Sequence, residues 1–199
     1  MKIKLLSIVA FLIFFGSCKK PKPIEIDSQK LLETVQTLSD DSFGGRFFSS
    51  VESSKTQEFI IDKFNKLGLQ PVIDNNYLQT FTHTFKGKSR HEVFPMKRPK
   101  PYDDYSNVRD TTASGANVIG MLKGQTNKSI VITAHYDHLG RRDGRIYNGA
   151  DDNASGTAAL FTIAEYFKNK PTKHNLIIAA VDAEEIGSLG ADYFLKNYL

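Results

Sequence analysis

The chain has 199 residues, of which 40% are hydrophobic and 24% charged, which excludes collagen-like, low-complexity and strongly disordered proteins and indicates one globular domain. The formal net charge of +4 falls to +2 once Lys2 and Lys4 of a predicted leader are left out. So small a charge gives no argument for nucleic-acid binding. The single cysteine, Cys18, excludes an intramolecular disulfide and cysteine-ligated zinc.

The start of the chain has the layout of a short signal peptide; a buried first helix is the alternative. Residues 1–4 are basic, residues 5–15 form an apolar run too short to span a bilayer, and two small residues follow. Small residues directly before Cys18 resemble the lipobox of bacterial lipoproteins, with Phe15 where leucine is usual. The resemblance implies cleavage after residue 17 and a lipid on Cys18. We therefore expect an exported protein, anchored to a bacterial membrane on its periplasmic or cell-surface side.

Two irregular segments flank or interrupt the domain, which we place at residues 29–199. Residues 18–28 are polar, contain two prolines and show no period, so they are predicted to be a tether. Residues 86–113 combine three prolines with many charges and are predicted to be a long surface insertion. Such an insertion could line a substrate cleft or be a plain surface excursion.

Helical spacing of apolar residues predicts two helices in the first half. A short one covers the leucines and valine of residues 31–38, and a longer one covers residues 54–67. Ser54 and Gln57 resemble a capping box at the start of the longer helix, and Gly68 is expected to end it.

The second half alternates strands and helices. Apolar, β-branched or aromatic runs predict strands, the second and third of which are separated by a turn-rich spacer that suits a hairpin. Strand, helix, strand, helix implies an α/β fold whose sheet is covered on both faces, and in such folds ligands gather at the carboxyl ends of strands. The predicted strands are residues 77–85 (near a sheet edge), 117–122, 130–134 and 176–181, and the predicted helices are residues 155–167 and 187–199.

Acidic and histidine side chains cluster where these elements end. Each motif alone has an ordinary explanation: a surface loop, a helix N-cap or a solvated charge run. Together they place many carboxylates at one sheet edge, where divalent cations usually neutralise them, and imidazole with carboxylates suits hydrolytic zinc. The residues are His135, Asp137, His138, Asp151, Asp152, Asp182, Glu184 and Glu185.

Three motifs, AHYDHLG, GADDNASG and AEEIGSLG, occur in an order and spacing that resemble metallopeptidase family twenty-eight. This family comprises dizinc aminopeptidases with glutamate carboxypeptidase and glutaminyl cyclase relatives. The stretch LSDDSFGGRFFSS, followed by a helix ending KLGLQP, resembles the family's lead-in, so the resemblance covers residues 31–199. It implies a three-layer zinc-peptidase-like α/β fold with a central mixed β-sheet flanked by helices, truncated at the C-terminus.

The resemblance also implies residue roles. His135 would ligate one zinc ion, Glu185 the other, and Asp152 would bridge both. Glu184 would be the general base, and Asp137 would orient His135 through its far ring nitrogen.

Further details follow from the same resemblance. His138 receives no role, and we expect it to make a structural hydrogen bond. Gly149, Ser155 and Gly156 would shape the loop and the helix start, and the peptide bond between Asp152 and Asn153 would be cis.

The predicted function is that of a zinc-dependent aminopeptidase that uses two zinc ions to release amino-terminal residues from peptides. Two further family ligands are expected downstream of Leu199, so we expect the chain alone to lack appreciable activity. The alternatives are a carboxypeptidase or glutaminyl cyclase of the family and a non-catalytic surface module. Retention of Glu184 argues against the last alternative, since a scaffold has no need of a base.

Overall fold

The computed structural model describes residues 24–86 and 110–198. The predicted leader, Cys18, most of the tether and most of the predicted insertion lie outside the described residues. No described helix is both long and apolar enough to cross a bilayer. The strands are β1 (Gln70–Pro71), β2 (Leu78–Phe85), β3 (Thr111–Leu122), β4 (Ser129–His135), β5 (Gly140–Arg142), β6 (Arg145–Tyr147) and β7 (Asn175–Val181), and the helices are α1 (Ser28–Leu38), α2 (Val51–Leu67), α3 (Ser155–Phe167) and α4 (Leu189–Tyr198).

The main sheet is mixed, and β7 lies in its interior. β7 pairs antiparallel with β3 and parallel with β4, while β1 and β2 both pair antiparallel with β3. Every residue of β7 is buried, as expected for a strand covered on both faces. β5 and β6 form a separate two-stranded hairpin.

Helices cover both faces of this sheet. Because side chains alternate along a strand, Ile178 of β7 joins the core cluster containing Phe64 of α2 and Phe161 of α3. Its neighbour Ile177 joins the opposite cluster, which contains Phe194 of α4. The three-layer α/β fold with a central mixed sheet is therefore confirmed.

The predicted hairpin between the second and third strands is wrong. β7 inserts between β3 and β4, so the spacer crosses the end of β7 instead of turning tightly. Backbone N–H groups of Gln125 and Thr126 donate to the carbonyls of Thr172 and Lys173 just before β7. A local turn signal does not reveal a strand that joins from about fifty residues further along the chain.

Two predicted boundaries also move. The longer helix begins at Val51, because Ser50 and not Ser54 caps it by accepting from the Ser53 N–H at 3.0 Å. It ends at Leu67, and Gly68 follows in the left-handed conformation, as predicted. β3 begins at Thr111, inside the predicted insertion, because small residues of low strand propensity concealed its pairing with β2.

Candidate metal centre

The parallel pairing of β4 and β7 brings two of the motifs to one edge. His135, the last residue of β4, lies opposite Val181, the last residue of β7. Parallel strands end at the same edge of a sheet, so the loops that follow both residues leave the fold side by side. The hydroxyl of Thr157 in α3 donates to the carbonyl of His135 at 3.0 Å, which fixes the start of that helix against the same edge.

The third motif forms an irregular turn, Ala150–Ala154, before α3, in which Asp152 and Asn153 depart from helical backbone angles. Gly149 precedes it with φ +54°, and a Cβ there would lie 2.2 Å from the Asp152 carbonyl oxygen and 2.5 Å from the His138 ring. Only glycine fits this approach. The peptide bond between Asp152 and Asn153 is cis, as the family resemblance implied.

These loops bring the predicted ligands together. Nε2 of His135 lies 3.2 Å from Oδ1 of Asp152. Asp152, His138 and Glu185 each offer a ligand atom, and these three atoms lie within 4.8 Å of one another. Asp151, which the sequence predicted at the same sheet edge, is exposed and lies outside this group.

His138 is the residue that sequence reasoning undervalued. Its Nδ1 is hydrogen-bonded to Oε1 of Glu185 at 2.5 Å and lies 3.9 Å from Oδ2 of Asp152, so it stands beside two predicted ligands. The expected hydrogen bond is present, but at the centre of the site. The signal that could have found it is its position three residues after His135, in the irregular segment that follows β4.

Asp137 is buried and braces the loop after β7. Its Oδ1 accepts from the N–H of Glu184 at 3.0 Å and its Oδ2 from the N–H of Glu185 at 3.2 Å. Its contact with Nδ1 of His135 is longer, 3.6 Å to Oδ1, while its backbone carbonyl lies 3.2 Å from the same nitrogen. Asp137 therefore positions the backbone of both glutamates in addition to facing His135.

The electrostatics reflect this crowding of acids. Burial lowers the pKa of His135, but hydrogen bonding to Asp137 and the charges of Asp137 and Glu184 outweigh it, so the net shift is upward. Burial, reinforced by the charge of Asp137, raises the pKa of Asp182 to about 7. Asp182 is fully buried and accepts from the N–H groups of Ala183 and Ala116.

Glu184 faces an open cleft beside the cluster. The cleft has a volume of about 490 Å³ and is lined by His135, Asn153 and Glu184 together with apolar residues of β4 and α3, including Leu160 and Ile163. A mostly apolar pocket with a few polar side chains is typical of sites that bind small molecules or peptides.

The donor set fits a divalent metal. Neither Asp152 nor Glu185 makes an ion pair with lysine or arginine among the described residues, and each instead contacts a histidine. Neutral imidazole with carboxylates is the ligand chemistry of catalytic zinc, and the described residues provide no thiolate at the site. The fold and the site together define a metallopeptidase-like α/β domain.

The comparison with family models identifies the class more closely. Residues 117–198 match the model of Peptidase family M28. The resemblance read from the three motifs is thus confirmed.

Two curated relatives illustrate the similarity. The alkaline phosphatase isozyme conversion protein of Escherichia coli (strain K12) is 28% identical over 168 residues, which cover 78% of this chain and 42% of the relative. Aminopeptidase YwaD of Bacillus subtilis (strain 168) is 32% identical over 90 residues, 44% of this chain and 19% of the relative. The chain thus spans less than half the length of each.

Solved structures show the same fold. A zinc aminopeptidase from Bacillus subtilis superposes with a TM-score of 0.63 at 15% identity, covering 89% of this chain and 67% of the other. A glutaminyl cyclase from Porphyromonas gingivalis superposes with a TM-score of 0.61 at 19% identity, covering 87% of this chain and 56% of the other.

Proposed function

We propose that this chain supplies metal-binding and catalytic residues of a zinc-dependent aminopeptidase that removes amino-terminal residues from peptides. The observation that carries the proposal is the convergence of His135, Asp152 and Glu185 at one sheet edge beside the Glu184-lined cleft. Family membership and the aminopeptidase relatives support the same reaction class.

Three residues would hold the metal. We assign His135 to one zinc ion, Glu185 to a second, and Asp152 to both, since its exposed carboxylate lies between the two histidine-bearing positions. Zinc bound there would polarise the scissile carbonyl and make a water acidic enough to react near neutral pH. His138 keeps Glu185 in place through its hydrogen bond.

Glu184 would act as the general base. It is exposed to the cleft, and its backbone N–H is fixed by Asp137, so its carboxylate can reach a water and a substrate carbonyl at the same edge. It would take a proton from the attacking water and pass that proton to the leaving amine. Adjacent Glu184 and Glu185 can divide these tasks because consecutive side chains point in different directions.

The test is hydrolysis of an aminoacyl nitroanilide by purified protein with and without zinc. The 199-residue chain is assayed beside any longer version of the protein that its gene is found to encode. We expect zinc-dependent release of nitroaniline by at least one version, loss of activity on dialysis against a chelator, and two zinc ions per chain in the active form. Absence of zinc-dependent hydrolysis by either version contradicts the proposal.

Two control substrates separate the alternatives. An N-acetylated nitroanilide lacks the free amino group and should not be cleaved by an aminopeptidase. A glutaminyl peptide that is cyclised instead of hydrolysed would favour the glutaminyl cyclase alternative, whose fold this chain shares.

We also propose that the chain is exported and held at a membrane by lipid on Cys18. The support is the lipobox-like sequence before the single cysteine. Labelling with a radioactive fatty acid should mark the wild-type chain and not Cys18→Ser, and equal labelling of both would contradict the anchor.

A further inference from the structure

Arg46 is a fully buried arginine in the lead-in motif SFGGR, to which the proposed reaction assigns no task. It adopts φ +49°, the left-handed region that residues other than glycine rarely occupy. Among the described residues, no ion pair accounts for its burial. Its guanidinium is instead surrounded by backbone carbonyls.

Four hydrogen bonds leave this guanidinium. Nε donates to the carbonyl of Tyr136 at 2.8 Å. One terminal nitrogen donates to the carbonyls of Leu38 and, at 2.8 Å, Asn148, and the other donates to the carbonyl of Gly149 at 2.8 Å.

The carbonyls belong to both loops that supply predicted ligands. Tyr136 is the residue after His135, whereas Asn148 and Gly149 lead into the turn that carries Asp152. The backbone carbonyl of Arg46 also accepts from the N–H of His138 at 3.3 Å. Arg46 is therefore hydrogen-bonded both to the segment after His135 and to the turn that carries Asp152, the two segments beside the proposed metal site.

The adjoining turn reinforces the link. The carbonyl of Gly45 accepts from the N–H of Gly140 at 3.0 Å, at the start of the β5–β6 hairpin. A Cβ on Gly45 would lie 2.4 Å from the carbonyl oxygen of Tyr147, at the end of that hairpin. The hairpin connecting the two ligand loops is thus held against the same turn.

A buried guanidinium is a costly way to stabilise a core, since desolvating a charge takes several kcal/mol unless its donors are satisfied. Only a planar fork of donors reaches carbonyls on three separate segments at once. We propose that Arg46 is a positioning residue that fixes the loop of His135 and His138 relative to the turn of Asp152. The inference rests on the proposed metal centre, but its first readout is independent of metal and turnover.

The first experiment measures amide hydrogen exchange in metal-free full chain for Arg46→Met and Arg46→Lys. Methionine removes the charge and all donors, and lysine keeps the charge but presents its donors at one point. Both variants should exchange faster in peptides covering residues 136–140 and 148–156, with residues 175–181 of β7 unchanged. The control is Phe194→Leu, which loosens the core on the α4 face away from the site.

The second experiment measures zinc affinity by calorimetry in the version that binds zinc. Loss of such outer support typically weakens metal binding about 10- to 100-fold, and we expect this for both Arg46 variants and not for Phe194→Leu. The Co²⁺ absorption spectrum should change in the same two variants.

Three outcomes would overturn the inference. One is uniform acceleration of exchange along the chain, which would make Arg46 a general stabiliser. Another is wild-type behaviour of Arg46→Lys, which would show that charge alone suffices. The third is faster local exchange with unaltered zinc affinity and Co²⁺ spectrum. Failure of the wild-type protein to bind zinc would instead refute the metal centre, while the exchange result would still decide whether Arg46 holds the loops.

Discussion

The two segments that carry the acidic ligands are held by the protein to very different extents. In the loop after β7, Asp182 and Ala183 are buried, and the N–H groups of Glu184 and Glu185 both donate to Asp137. In the turn before α3, the side chain of Asp152 is 62% exposed, and its polar contacts are to His135 and His138. The first segment is ordered by the fold, whereas the second presents a carboxylate whose neighbours are themselves candidate ligands.

This difference separates the stability of the fold from the binding of metal. Replacing a residue whose polar atoms are hydrogen-bonded within the core changes the free energy of unfolding. Replacing one that faces the proposed metal site changes only metal binding. Substitutions in these two segments, or of Asp137 that braces the first of them, should therefore fall into two groups, and four substitutions test that division.

The largest effect should come from Glu184→Gln. Removing a general base typically costs about 10²–10⁴-fold in rate, so kcat should fall by this factor while zinc affinity stays near wild type. The measurement is steady-state hydrolysis and zinc calorimetry in the version that carries activity. Glu58→Gln, on the exposed face of α2, is the matched control. Retention of wild-type kcat would remove Glu184 from the mechanism.

Asp137→Asn should have the largest effect on stability. An amide can accept one of the two N–H groups but turns its NH₂ toward the other, leaving a buried donor unpaired at a cost of about 1–3 kcal/mol. Urea unfolding in chelator measures the loss. Asp192→Asn, an exposed i,i+4 partner of Lys196, should change stability by about 0.5 kcal/mol or less. Equal effects of the two substitutions would mean that Asp137 does not brace the loop.

Asp182→Asn should change how stability depends on pH. The pKa of Asp182 in the folded chain is raised from 3.8 to about 7, so the folded state binds this proton more tightly than the unfolded state. Its stabilising contribution is complete below about pH 4 and is lost as pH rises to about 7. The variant should lack this decline in metal-free melting curves, whereas the exposed Asp62→Asn should keep it. An unchanged slope in Asp182→Asn would show that folding does not raise the pKa of Asp182.

The smallest effect on stability should come from Asp152→Asn. Since this carboxylate is mostly exposed, metal-free unfolding should change by about 0.5 kcal/mol or less. Zinc binding should nevertheless be lost, because the same group is the predicted bridge between two ions. A large loss of metal-free stability would contradict the proposal that the turn before α3, unlike the loop after β7, contributes to metal binding and not to folding stability.

Sequence reasoning predicted local elements better than it predicted how they pair. The apolar period located α2, α3 and the interior strand, because these patterns report directly on burial. It placed β3 and β4 in a hairpin, because nothing within residues 117–134 reports that β7 joins between them.

The site shows the same division. His135, Asp152 and Glu185 could be named because motifs preserve residue type and spacing. The bracing of Glu184 and Glu185 by Asp137 and the linkage of the two loops through Arg46 depend on contacts 47 to 103 residues apart in sequence. No local pattern encodes such contacts.

The interior position of β7 also constrains how the chain acquires its structure during synthesis. β3 and β4 pair only with β7 on their facing sides, so residues 111–135 leave the ribosome with those edges open. At translation rates of about 5–20 residues per second, the forty residues that separate His135 from Asn175 take roughly 2–8 s to appear. For that interval the open edges of two apolar strands are free to pair wrongly with other strands.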